Sequence, residues 1–157
     1  MPRLAEINPQ TAAFLDMVAE SEGTINLGDD GYNVLVGSTL DHPILFTSYA
    51  AHPDKLNLAL DSTAAGRYQV LYRWWRPYQE RLRLPDFSPE NQDRVAIAQI
   101  SEVPSALAAI HTGDLTTAIS MCSHLWASLP GNNYGQHQQK VQWLKDMFTK
   151  HGGKLSC

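Results

Sequence analysis

The chain has 157 residues, a formal net charge of −4 and a hydrophobic fraction of 43%. This length favours one domain, residues 1–157, with a sizeable core. The negative charge and the lack of a basic tract argue against a nucleic-acid-binding protein. No stretch reaches the roughly eighteen apolar residues of a membrane span, so we expect no membrane insertion.

Residues 1–6 lack the apolar core of a signal peptide, so we expect no export by the usual secretory route. The two cysteines are Cys122, which falls in a helical pattern, and Cys157, the last residue. We expect Cys122 to be buried and predict no disulfide between the two, consistent with a reducing cytoplasm.

The first predicted helix runs from Pro9 to Glu22. Asn8 suits its N-cap, Pro9 suits its first turn, and Gly23 suits the left-handed position after its last turn. Leu15, Val18 and Glu22 fall on one face of this helix, which we expect to pack inward. The pattern therefore predicts that Glu22 lies at the border between the core and an opening.

A β-rich region follows the first helix. Residues 32–37 have the composition of a strand and residues 44–47 are a second candidate, so we predict a small hairpin or meander. Residues 47–54 are typical of a surface loop. From Gly66 to Leu82 an apolar stripe at intervals of three and four predicts a long helix, with a kink or break at Pro77.

The second half has the pattern of helices throughout. We predict helices at residues 93–103, 105–111, 114–126 and 136–150, with a turn-rich loop at 129–135. The predicted class is α+β, mostly helical. The small lobe spans about 20–65, the connecting helix about 66–82, and the helical lobe about 83–157.

Most standard chemical motifs are absent from the sequence. It has no GxSxG elbow, no phosphate-binding loop and no dinucleotide fingerprint, so we expect no cofactor. The six histidines are scattered without a metal-binding spacing, so we expect no metal site.

Glu22 is the best candidate for chemistry. Partial burial and the negative end of the helix dipole should both raise its pKa. A carboxylic acid that stays protonated near neutral pH is what general-acid cleavage of a glycosidic bond requires. The alternative is a solvated glutamate at a helix end.

Eight stretches of the chain, in the same order, resemble the phage lambda endolysin family of lysozyme-like lytic transglycosylases. The resemblance runs from about Ile7 to Gly153. The stretches are residues 13–17, 21–24, 31–37, 52–56, 62–69, 73–75, 86–89 and 126–131.

The resemblance implies a lysozyme-like fold with Glu22 as the catalytic acid. It also implies that residues 47–56 and 128–135 form two lips of a cleft for peptidoglycan glycan strands. Ser62 and Gln69 resemble a serine and a Gly-x-x-Gln element that support the acid or the substrate in related transglycosylases. For Gln69, capping of local backbone is the alternative. The expected substrate contacts are Tyr32, Ser48, Tyr49, Ser62, Gln69, Ser128, Asn133 and Tyr134.

Related hydrolytic lysozymes carry a Glu-x8-Asp-x5-Thr pattern, but those two later positions here are Gly31 and Gly37. With one carboxylate, the economical chemistry is attack by the sugar's own 6-hydroxyl, which gives a 1,6-anhydro product. Two alternatives stay open: a hydrolytic muramidase that uses Asp29 or Asp30, and a non-catalytic glycan-binding module.

The resemblance further implies a phage or prophage protein that causes host cell lysis. We expect a monomer that accumulates in the host bacterial cytoplasm. A holin-type membrane partner would release it, and it would then act on periplasmic peptidoglycan.

Overall fold

The computed structural model describes residues 1–157, and its helices surround a buried first helix, α1 (Pro9–Glu22). The Asn8 side chain accepts hydrogen bonds from the backbone N–H groups of Gln10 and Thr11, and Gly23 ends the helix in the left-handed conformation, with φ 75°. Leu15 and Val18 are fully buried. The predicted caps and the inward face of α1 are therefore confirmed.

Five further helices follow a long non-helical segment. They are α2 (Tyr72–Leu82), α3 (Pro89–Ser101), α4 (Ala106–Thr112), α5 (Leu115–Cys122) and α6 (Val141–Lys150). The main core is built from α1 and α3 to α6, and Cys122 lies in it as predicted. No helix is both long enough and apolar enough to cross a membrane.

Four predicted helix boundaries were wrong. The helix predicted at 93–103 begins at Pro89, directly after its N-cap position at Ser88. The connecting helix begins at Tyr72 rather than near residue 66, because Gly66 and Gln69 have φ of 82° and 53°, which a right-handed helix does not allow. This helix continues through Pro77 without a break. The helix predicted at 114–126 ends at Cys122, and the one predicted at 136–150 begins at Val141.

The predicted β-region is present only as isolated antiparallel bridges, at Val34–Leu45, Leu35–Ala65, Asn57–Ser62 and Ala65–Val70. The backbone turns into the left-handed region at Gly37, Asp54 and Asp61, so no pairing extends into a regular strand. A second apolar cluster, which includes Leu35, Trp75 and Phe87, joins this region to α2.

Buried polar contacts connect the β-region to the helices. The fully buried Arg67 donates to the Asp16 carboxylate on α1 at 2.8 Å and to the Asp30 carbonyl oxygen at 2.9 Å. Asp93 on α3 accepts from the hydroxyls of Tyr32 and Tyr68 at 2.8 and 2.7 Å. These contacts fix the end of α1 relative to the segment that follows it.

Candidate active site

Glu22 is the last residue of α1, and its side chain is largely enclosed by protein. Burial raises its pKa from 4.5 to about 7, and a hydrogen bond from Ser128 opposes that shift. The predicted direction of the shift is confirmed, with burial rather than the helix dipole as the main cause. At neutral pH, Glu22 is therefore poised to give up or accept a proton.

Ser128 is the one side chain that hydrogen-bonds Glu22, with its Oγ 3.3 Å from Oε1. Ser21, the residue before Glu22, donates from its own Oγ to Ser128 Oγ at 2.7 Å. Sequence reasoning assigned Ser128 to the site but missed Ser21. The signal for Ser21 was its position next to Glu22 near the inward face of α1.

The loop that carries Ser128 is held in shape by Asn132. The Asn132 amide donates to the carbonyl oxygens of Ser123 and Leu129, both at 2.8 Å, and its side-chain oxygen accepts from the Tyr134 backbone. Such side-chain bonds to local backbone are typical of asparagine in tight turns. Asn132 was not among the predicted site residues, although it lies within the predicted loop.

The two neighbouring aspartates are both engaged with cations. Asp29 binds the Arg3 guanidinium at 2.5 and 3.0 Å and accepts from the Tyr49 hydroxyl at 2.6 Å. Those bonds, from Arg3 first and then Tyr49, lower the pKa of Asp29. Asp30 lies 3.5 Å from the Arg67 guanidinium. A paired carboxylate with a lowered pKa, such as Asp29, is a weak base.

The two glycine positions could not hold larger side chains without strain. A Cβ on Gly31, where φ is 87°, would lie 2.9 Å from the Thr24 carbonyl oxygen and 3.1 Å from Arg67 Cγ. A Cβ on Gly37, where φ is 89°, would lie 2.9 Å from the Asn57 amide nitrogen. This backbone therefore has no place for a second catalytic carboxylate at residue 31.

The assignment of Tyr32 to substrate binding was wrong. Its side chain is fully buried, its hydroxyl donates to Asp93, and its ring packs edge-on against Tyr68 at 6.4 Å between centroids. The tyrosine belongs to the core contacts between the β-region and α3, because burial of its ring leaves no face for a sugar.

Ser62 and Gln69 bond to backbone rather than to Glu22. Ser62 Oγ accepts from the Ala64 N–H at 3.1 Å, and the Gln69 amide donates to the Gly66 and Val34 carbonyl oxygens at 2.8 and 3.3 Å. Neither side chain hydrogen-bonds Glu22, so the prediction that they support the acid directly was wrong, while their contacts with substrate stay predictions. For Gln69 the alternative, a cap on local backbone, is confirmed, although in a turn and not in a helix.

The remaining predicted contacts lie on the two loops. Ser48 is exposed and Tyr49 is partly buried, with its ring edge-on to Phe46 at 5.8 Å. Asn133 is exposed, and Tyr134 is 53% exposed with its hydroxyl donating to the His124 carbonyl oxygen at 2.8 Å. The structure leaves these side chains accessible in varying degree, and their substrate contacts stay predictions.

A groove of about 380 Å³ lies between the loop at 54–63 and the start of α2, but Glu22 does not line it. Its lining residues are Asp54, Leu56, Asp61, Thr63, Leu71, Tyr72 and Arg73. No group of three or more His, Cys, Asp or Glu side chains is arranged to hold a metal ion.

Comparisons with known proteins agree with one another. The sequence model of the endolysin family matches residues 12–155. The chain is 50% identical over 159 residues to the endolysin of Escherichia phage lambda, which covers 97% of each chain. It is 44% identical over 153 residues to the endolysin of Escherichia phage P2, covering 90% of this chain and 92% of the relative.

Two solved structures share the fold. Bacteriophage lambda lysozyme complexed with a chitohexasaccharide matches with a TM-score of 0.88 and 48% identity, covering 97% of this chain and 99% of that one. A second structure of the lysozyme from bacteriophage lambda matches with a TM-score of 0.84, 46% identity and the same coverage. The predicted lysozyme-like fold and the predicted family relationship are confirmed.

Proposed function

The chain belongs to the endolysin family, and we propose that this peptidoglycan-degrading enzyme is a lytic transglycosylase with Glu22 as its acid and then its base. The observation that carries the proposal is the partly buried Glu22 carboxyl group, whose pKa is raised to about 7 and whose one side-chain partner is Ser128. Asp29, one of the two carboxylates that a hydrolytic route could use, is instead bound to Arg3.

In the proposed reaction, Glu22 protonates the oxygen that links N-acetylmuramic acid to N-acetylglucosamine. The bond from that oxygen to C1 of the muramic acid breaks, and positive charge develops at C1 and the ring oxygen. The Glu22 carboxylate then takes the proton of the 6-hydroxyl as its oxygen bonds to C1. The product is a 1,6-anhydro sugar, no water is consumed, and Glu22 ends in its protonated form.

Two features of the chain support this route over hydrolysis. Both concern the second carboxylate that a hydrolase normally needs, as nucleophile or to activate water. Gly31 leaves no room for one at the position where hydrolytic relatives carry it. Asp29 has a lowered pKa and two firm partners, so it would be a poor base. The 6-hydroxyl of the sugar makes a second carboxylate and a bound water unnecessary, because this hydroxyl is held next to C1 and attacks it directly.

Glycan binding would use the two loops on which the accessible polar side chains lie. We propose that Ser48 and Tyr49 contact sugars from one loop, and Asn133 and Tyr134 from the other. A half-exposed tyrosine ring can stack on a sugar while its hydroxyl stays hydrogen-bonded to protein. The likeness to a lambda lysozyme structure that contains a chitohexasaccharide supports an amino-sugar polymer as the substrate class.

The same proposal covers the cellular setting. A protein of this family would act as a monomer on periplasmic peptidoglycan of its host. A holin-type membrane partner would release it from the host cytoplasm.

The test is mass spectrometry of the muropeptides that the purified protein releases. A transglycosylase leaves anhydro ends about 20 mass units lighter than the reduced ends of a hydrolase, about 18 for water and about 2 for borohydride reduction. We expect anhydro ends and little reducing sugar. Reducing ends as the main product would instead identify a hydrolytic muramidase, and glycan binding without any release would identify a non-catalytic module.

A further inference from the structure

Two serine hydroxyls form a chain that ends on the Glu22 carboxyl group. Ser21 Oγ donates to Ser128 Oγ at 2.7 Å, and Ser128 Oγ donates to Glu22 Oε1 at 3.3 Å. We propose that Ser21 is a positioning residue that fixes the direction of the Ser128 proton toward Glu22. Its catalytic significance rests on the proposed function, in which Glu22 is the acid.

The argument starts from the single proton of a serine hydroxyl. Without Ser21, the Ser128 hydroxyl could donate to a Glu22 anion or rotate and accept from a Glu22 acid. Ser21 donates into a lone pair of Ser128, so the Ser128 proton is directed to Oε1. A bond donated to Oε1 favours the anion and leaves Oε2 as the oxygen that carries the acid proton.

Burial strengthens this coupling. Ser21 is only 7% exposed, so bulk water does not compete for its hydroxyl. Ser21 is fixed by α1, whereas Ser128 lies in the loop after α5, so the contact also joins that loop to the helix that carries Glu22. A hydrogen bond in such an enclosed place is stronger than one in water.

Charged groups on the surrounding elements do not replace this chain, because none of them hydrogen-bonds Glu22. On α1, Glu20 pairs with Lys150 and His151 of α6, and Asp16 pairs with Arg67. Asp93 of α3 accepts from Tyr32 and Tyr68, and His111 of α4 bonds Thr11. Asp29 binds Arg3. The direction of the Ser128 hydroxyl is therefore the main polar influence on the pKa of Glu22.

The experiment is a carbon-13 NMR titration of the Glu22 side-chain carboxyl, identified as the resonance that a Glu22→Gln protein lacks. We expect Ser21→Ala to raise the pKa of Glu22 by about half a pH unit and Ser128→Ala by about one unit. The double variant should match Ser128→Ala alone, because Ser21 acts only through Ser128. Ser120→Ala, an exposed serine on α5, is the matched control and should change nothing.

Two results would overturn the proposal: an unchanged pKa in Ser21→Ala, or an equal shift from Ser21→Ala whether or not Ser128 is present. Ser21→Thr keeps a hydroxyl and should retain the native pKa. Where Ser21→Ala does not fold, Ser21→Cys, a weaker donor of similar size, should raise the pKa by a smaller amount, and no rise would count against the proposal. The titration needs no turnover, so the hydroxyl chain and the catalytic role of Glu22 are tested separately.

Discussion

The carbonyl oxygen of Thr24 lies 2.9 Å from the place where a Cβ on Gly31 would stand. Thr24 is itself fixed, because its hydroxyl donates to the Arg67 carbonyl oxygen at 2.6 Å. The backbone just after Glu22 therefore excludes a carboxylate at residue 31. Because of this turn, residue 31 does not supply a second acid beside Glu22.

The first prediction is that Gly31→Asp destabilises the protein by about 2–4 kcal/mol without increasing hydrolysis. The cost combines a left-handed backbone, which a residue with a Cβ adopts less readily than glycine, with the clash against Thr24. Gly135→Asp is the control, since Gly135 has φ 76° but open space around it and should cost about 1 kcal/mol. Chemical denaturation and a reducing-sugar assay measure the two effects. A stable Gly31→Asp protein that releases reducing ends would contradict the argument.

The second prediction concerns Glu22→Gln, which should lower lytic activity by several orders of magnitude because the titratable proton is lost. Its effect on stability should depend on pH. The native pKa of Glu22, about 7, exceeds the unfolded value of 4.5, so the contribution of this carboxyl group to stability is lost as pH rises from 4.5 through 7.

Glu22→Gln removes that penalty. It should be more stable than the wild type by about 1–3 kcal/mol at pH 8, and the difference should vanish toward pH 4. Thermal melts across this range provide the measurement. Glu6→Gln, which removes the same charge from an exposed position, should show no comparable trend. Equal stability of wild type and Glu22→Gln at pH 8 would mean that burial does not destabilise the charged form of Glu22.

The position of the acid could be predicted because its signals are local. Asn8, Pro9 and Gly23 mark the two ends of α1, and periodicity alone assigns the face that carries Glu22. The start of α2 could not be found this way, because Tyr68 and Leu71 continue the helical stripe of the sequence. Tyr68 is instead held by long-range bonds, to Asp93 and from the Trp126 indole N–H, which no local pattern reveals.

Buried polar contacts between distant parts of the chain were also not predictable from the sequence. A pairing such as Arg67 with Asp16 spans 51 positions in the chain, and both side chains resemble ordinary surface residues in the sequence. Ser21 was missed for a related reason, since its partner Ser128 lies 107 positions away. Tyr32 was assigned to the cleft because aromatic residues serve both in cores and on sugar-binding surfaces, and only burial distinguishes the two.

The third prediction tests whether Tyr32 is a core residue rather than a substrate contact. Tyr32→Phe should lower stability by about 1–2 kcal/mol, because Asp93 loses a hydrogen bond in the core. The KM for peptidoglycan should not change, because the ring and hydroxyl of Tyr32 are inaccessible. Tyr134→Phe is the contrasting variant, with its hydroxyl at the surface, and should leave stability nearly unchanged. A raised KM in a stable Tyr32→Phe protein would restore the substrate-binding role.

The fourth prediction is that His52 makes a contribution to stability that falls below pH 6.5, opposite in sign to the contribution of Glu22. This ring is buried in an otherwise exposed loop, lies 4.8 Å from the Phe87 ring, and bonds the Val70 carbonyl oxygen at 2.8 Å and the Asp54 N–H at 3.0 Å. Burial lowers its pKa below 6.5. As pH falls through 6.5, the unfolded chain takes up a proton that the native protein resists, so stability declines.

His52→Phe should reduce this pH dependence while lowering stability at pH 8 by about 1–3 kcal/mol, because two backbone groups lose their partner. Melting temperatures from pH 5 to 8 are the measurement. His137→Asn, at an exposed histidine, should keep the wild-type profile. An unchanged slope in His52→Phe would assign the acid sensitivity to another group.

The last prediction separates the two enzymatic routes at Asp29. In Asp29→Asn, the ion pair with Arg3 and the lowered pKa are lost, which should cost about 0.5–1 kcal/mol because the pair is partly exposed. Most lytic activity should remain, and the products should stay anhydro, because the 6-hydroxyl of the sugar supplies the nucleophile.

Arg3→Gln is the matched control, since it breaks the same pair from the other side and should cost a similar amount of stability. The Asp29/Arg3 double variant should be little worse than either single one, as expected for a shared contact. Asp30→Asn should likewise keep the anhydro product. Activity that disappears in folded Asp29→Asn but survives in Arg3→Gln would show that the carboxylate acts chemically, and the protein would then be a hydrolytic muramidase.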